Sequence, residues 1–228
     1  MINYRMIINK FLKQFINAII AGMIISIACV MYLCCIAMNY KILGGFIFGL
    51  GFLFIGLYGY EFYSQKIGYV VENKVIYILD CLIAFIGNFV GTWLIVLIVK
   101  MTSLADVGTG LVSIGLESVL ASRVGNGLVL DFMGKSLISG IIIYLTFNTY
   151  KKAEQPIARF LSLFIGAFVI SLLGFDELVS DMFYFNMACF YDYNYGELFA
   201  KLMYVLIGNS LGAMIIPLLR KLKGVLKS

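Results

Sequence analysis

Six apolar runs, each long enough to cross a bilayer, fill most of this chain, and they leave it few ways to fold. They cover about residues 17–38, 42–71, 75–99, 128–149, 157–188 and 198–219. At ~1.5 Å per helical residue each reaches across roughly 30 Å of hydrocarbon. Backbone groups inside a membrane have no water to bond, so such runs are expected to be helices. Composition agrees: 62% hydrophobic and 13% charged residues, with a mean hydropathy of +1.00, exclude a soluble domain. The net charge of +5 comes from Lys and Arg at the ends of the runs. It therefore calls for no nucleic-acid partner.

Three regions flank or interrupt this pattern. Residues 1–16 set Ile2, Met6, Ile7, Phe11 and Leu12 against Arg5, Lys10 and Lys13 at helical spacing, which predicts an interfacial amphipathic helix before a channel unit of residues 17–220. Residues 221–228 close the chain as a basic cytoplasmic tail. Residues 101–127 are polar and glycine-containing, with an apolar stretch near 111–120 too short to span, so they read as a long external loop or a partly re-entrant segment.

Two of the six runs are broken. The second holds six glycines between Gly44 and Gly59 and then Glu61, Ser64, Gln65 and Lys66. The fifth is interrupted by Gly174-Phe175-Asp176-Glu177 and, shortly after, Asp181. A carboxylate at the centre of a span costs about 2.5–3.5 kcal/mol and is kept where it faces an aqueous path or a partner. This break reads as the gate of a pore. The chain has no His, the commonest catalytic base and metal ligand, and its five Cys show no paired CxxC spacing, so an enzyme, a metal site or a cofactor is not expected.

The breaks recur in order. Ile86-Gly87-Asn88 through Gly91 matches Ile207-Gly208-Asn209 through Gly212, and Gly59-Tyr60-Glu61 matches Gly174-Phe175-Asp176. Three spans per half run the halves in opposite senses through the membrane, so the fold expected is an all-α polytopic protein with a 3+3 inverted repeat and broken helices 2 and 5. Asn88 and Asn209 are read as scaffold that bonds the backbone freed at the breaks. Arg5, Lys10, Lys13, Lys74, Lys151, Lys152, Arg159 and the basic tail share one side, read as cytoplasmic with both termini. The opposite side holds Lys41, Lys100 and Arg123, with Lys135 and Lys201 as further candidates.

With these motifs the chain resembles the formate/nitrite transporter family over nearly all six spans. The resemblance rests on 17–33, on the second span from Gly44-Gly45 to Ser64, on the paired glycine-asparagine segments and on the fifth-span break. It implies a homopentamer in a bacterial-type inner membrane, each subunit with its own aquaporin-like pore for a small anion. It also implies pore-constricting side chains at Phe62, Tyr63 and Ile170, a selectivity hydroxyl at Ser64, an acidic break residue at Asp176 and a vestibule cation at Arg123, with Asp181 nearby. Gly140 and Asp80 stand where the family usually has asparagines. Where the family has a histidine after the acidic break residue, this chain has Glu177.

A histidine presents a neutral or positive face, whereas a glutamate presents a neutral or negative one. The permeant expected here is a small cation, ammonium best, selected by Glu177 with Ser64 and Asp176. The alternative is a formate-, nitrite- or hydrosulfide-type anion assisted by a proton. A structural role for Glu177 also stays open, either through pairing with Lys201, Lys135 or Lys66 or through burial that keeps it protonated.

Overall fold

The computed structural model describes residues 4–121 and 129–226, and Arg123 lies outside the described residues. Helix α1 runs unbroken over Tyr4–Ala37. The separate interfacial helix expected over 1–16 is, from Tyr4 on, the first part of the same rod as span one. No Gly, Pro or capping residue stands between Lys10 and Ile16 to end a helix there. Gln14, buried, donates to the Asp80 carbonyl at 3.2 Å and ties this stretch to the third span.

Next come α2 (Lys41–Tyr58) and, beyond a break, the single turn α3 (Tyr63–Lys66), continued as a 3-10 helix over Ile67–Glu72. Helix α4 covers Tyr77–Lys100. The 101–127 region is not a free loop as far as it is described: a 3-10 turn at Ser103–Ala105 leads to α5 (Leu111–Ala121). The α5 helix buries Val112, Leu116 and Leu120 and packs on α1, and Gly115 abuts the Leu33 carbonyl. Four residues apart, these three side chains share one face, which explains why a segment too short to span still docks.

The second half has α6 (Val129–Lys152), α7 (Pro156–Leu173), then a break, α8 (Leu178–Ala188) and α9 (Tyr195–Val225). The basic tail is mostly part of α9, because Arg220, Lys221, Leu222 and Lys223 are good helix formers with nothing to stop them. Among the described residues, six helices are long and apolar enough to cross a membrane. Their outer faces carry exposed Ile27, Phe54, Leu97, Ile165 and Leu211, so the protein is a multi-pass membrane protein.

Packing repeats between the halves. Helix α1 lies against α4 and α2, α6 against α9 and α7, and α2 against α7 joins the two sets. Close approach needs glycine at matched places: a Cβ on Gly91 would strike the Ile19 carbonyl, and one on Gly212 the Leu137 carbonyl. Gly140, which stands where the resembled family usually has an asparagine, abuts the Asn209 carbonyl in the same way. These are the matched geometries an inverted repeat would produce.

Candidate functional site

The two breaks have the same local build. Helix α2 ends at Gly59 with φ 67° and ψ 35°, and α7 ends at Gly174 with φ 70° and ψ 34°. That left-handed conformation favours glycine. Each glycine leads into an extended link. Phe62 caps α3 at φ −112° and ψ 120°, and Glu177 caps α8 at φ −112° and ψ 126°.

One asparagine stitches each link to the scaffold. Asn88 accepts from the Tyr63 amide at 2.9 Å and donates to the carbonyls of Glu61 at 2.9 Å and Ala18 at 2.8 Å. Asn209 accepts from the Leu178 amide at 3.0 Å and donates to the carbonyls of Asp176 at 2.9 Å and Ser136 at 2.7 Å. Both are wholly buried. Each supplies partners that a helix break removes from the backbone.

At the Phe62 position of the second half stands Glu177, 1% exposed. Its Oε1 accepts from the Ser64 hydroxyl at 2.6 Å and the Val179 amide at 3.0 Å. Its Oε2 accepts from the Ser180 amide at 2.8 Å and the Ser180 hydroxyl at 2.7 Å. Four donors fill the acceptor positions of its two oxygens. Glu177 is therefore the side-chain cap of α8 as well as the acidic residue of the break. The lysines named as its partners are engaged elsewhere: Lys66 with Glu61, Lys135 with Asp131 at 2.6 Å and Lys201 with Glu197 at 2.8 Å.

Two cavities approach the breaks from opposite ends of α2. One, of about 290 Å³, reaches Glu177, Ser180, Ile170, Ser171 and Gly174 from the side of Lys41. The other, of about 260 Å³, reaches Gly59, Glu61, Lys66 and Phe147 from the side of Lys151. Between them lie Ser64, 1% exposed, and Phe62, fully buried and packed on Phe52 at 5.3 Å and Phe147 at 5.9 Å.

Three expected pore residues sit elsewhere. Asp176 and Asp181 line a separate cavity of about 40 Å³ with Lys201, not the one that Glu177 lines. Successive side chains of an extended link point to opposite sides, so Asp176 and Glu177 part company. Tyr63 turns into the scaffold: its hydroxyl bonds Ser210 at 3.0 Å and its ring meets Phe85 at 5.5 Å. Ile170 lines the larger cavity and Phe62 backs Phe147.

The sequence reading passed over Ser180. Its signal was present, because Glu177 and Ser180 hold the first and fourth places of a capping box with the residue types exchanged. Tyr32 and Ser171 of the same cavity carry no such mark: the Tyr32 hydroxyl donates to the Ser171 carbonyl at 3.0 Å, a contact 139 residues apart in sequence.

The family model described as formate/nitrite transporter matches residues 4–221. No curated protein matches the sequence. Among solved structures, the fold is similar to a pentameric formate channel with formate bound, at TM-score 0.80 and 18% identity, over 96% of this chain and 98% of that one. It is also similar to an FNT family ion channel, at TM-score 0.78 and 18% identity, over 93% and 90%.

Proposed function

The chain belongs to the formate/nitrite transporter family, a family of transporters and not of enzymes, and we propose that it forms a channel for a small cation, ammonium before others, selected at Glu177. One observation carries this reading. Every amide in the first turn of α8 is already bonded: Leu178 to Asn209, Val179 and Ser180 to the Glu177 carboxylate, and Asp181 to the Glu177 carbonyl.

A helix N-terminus aimed at a pore would otherwise be an anion site, offering free N–H groups and the positive end of the dipole. Here a resident carboxylate occupies it. An anion reaching the break meets like charge; at ~5 Å and an effective dielectric near 20 that repulsion is about 3 kcal/mol. The Ser64 hydroxyl, whose hydrogen is given to Glu177, offers a permeant only lone pairs. Ammonium, with four N–H donors and one positive charge, complements such a surface. It passes either as the ion or as ammonia with its proton returned separately.

Phe62 and Ile170 are the apolar constrictions on either side of this step, and Asp176, Asp181 and Glu61 act as scaffold of the breaks. The neighbouring formate channel is pentameric, and we extend that assembly to this chain: five copies in a bacterial-type plasma membrane, each with its own path. Both termini are assigned to the cytoplasm by the basic residues Lys74, Lys151, Lys152, Arg159 and Arg220. Residues 1–16 and 221–228 flank the channel unit there.

The test is current across proteoliposomes under ammonium chloride, sodium formate and sodium nitrite jumps, repeated with Glu177→Gln and Glu177→His. Inward positive current with ammonium alone, lost in both variants and replaced in the His variant by anion current, is expected. Alkalinisation of the vesicle lumen without current would assign passage of ammonia, with its proton left on the outer side. Wild-type anion current that survives Glu177→Gln would overturn the reading.

A further inference from the structure

We infer that Ser180 is a specificity-determining residue, the outer of two hydroxyl acceptors, Ser180 and Ser64, that flank the Glu177 carboxylate on the path by which the permeant is handed through the break. The inference rests on the cation reading above. Its geometric ground is that the α8 cap is complete without the Ser180 hydroxyl. The Val179 and Ser180 amides alone, at 3.0 and 2.8 Å, satisfy what an N-cap has to satisfy. The hydroxyl adds a second donor to the same Oε2 at 2.7 Å. That fixes its hydrogen on Glu177 and leaves a lone pair for the cavity that Ser180 and Glu177 line together, with the buried Cys29 thiol also against the hydroxyl.

The arrangement is mirrored on the other carboxylate oxygen. Ser64 donates to Oε1 at 2.6 Å, and Ser64 lies beyond Glu177, outside that cavity. The two hydroxyls therefore stand on opposite oxygens of one carboxylate, and both present acceptors only. Two other hydroxyls of the cavity give their hydrogens to backbone: Tyr32 donates to the Ser171 carbonyl at 3.0 Å, and Ser171 to the Ala167 and Phe168 carbonyls at 3.0 Å. An ion carrying N–H groups can exchange one hydroxyl acceptor for the other on its way past the Glu177 carboxylate. Potassium, of similar size, gains no directional bond from it. Lys41 also lines this cavity but is exposed, on the side remote from the breaks.

The measurement is the bi-ionic reversal potential between ammonium and potassium, with the full-length protein in planar bilayers. It gives a permeability ratio independent of how many channels insert. In Ser180→Ala the ratio is expected to fall by roughly three- to tenfold, the size of one net hydrogen bond, and Ser180→Thr is expected to restore it. A cap-only role for Ser180 would leave the ratio unmoved even if yield fell. If Ser180→Ala does not reconstitute, Ser180→Cys carries the same test, since it keeps the volume while replacing a strong acceptor by a weak one. An unchanged ratio in whichever variant inserts, alongside ammonium current in the wild type, overturns the role of Ser180 and leaves the cation reading standing. Absence of ammonium current in the wild type overturns both.

Discussion

At the scale of single residues, two asparagines and one glutamate govern the breaks. Asn209 serves three backbone groups, two of them, the Leu178 amide and the Asp176 carbonyl, at the break itself, and each buried group left unsatisfied costs about 1–3 kcal/mol. Asn209→Ala is expected to lower the unfolding midpoint in detergent severely, by the equivalent of about 2 kcal/mol or more. Asn209→Asp, which keeps the acceptor toward Leu178 and loses the donor, should fall between. The glycine-asparagine pairs were legible as scaffold in the sequence, because asparagine offers both a donor and an acceptor beside a break that needs both. The separation of Asp176 from Glu177 was not legible. Their adjacency suggested one acidic cluster, and only the extended backbone of the link sends one into the larger cavity and the other into a separate space.

At the scale of elements, glycines do two different jobs that substitution should tell apart. Gly174 is needed for its φ of 70°, with open space where a side chain would go. Gly174→Ala should therefore cost about 1–2 kcal/mol of backbone strain and still give an assembled protein. Gly91 is needed because α4 and α1 touch there, so Gly91→Ala has to push two helices apart. It should reduce the yield of folded protein well beyond the Gly174 variant, as read by size-exclusion profile and thermal midpoint. Apolar run length located all six spans and the glycine clusters located both breaks. Helix ends were less legible: α1 and α9 run on past the apolar stretch because the charged residues at Lys10 and Arg220 are themselves good helix formers. The docking of α5 was hidden because its partner surface lies on α1, far away in sequence.

At the scale of the whole molecule, the apolar residues on the outer faces leave more lipid-like surface than one subunit covers for itself. The proposed pentamer would bury part of it, and native mass spectrometry from mild detergent should give five times the mass of the 25.5 kDa chain; a stable monomer would count against that assembly. The saturation of Glu177 by four donors also has a kinetic side. A bare buried carboxylate would hold a cation tightly and release it slowly, and a conduit works only when its occupants leave as readily as they arrive. Four hydrogen bonds already draw on that carboxylate, so under the proposed cation selection the dwell time of a passing ion is expected to be short, with the gradient, not the site, setting the traffic. Flux that climbs almost in proportion to concentration through the millimolar range, with little sign of a ceiling, is the behaviour to expect of a selector that spends its own charge on holding itself in place.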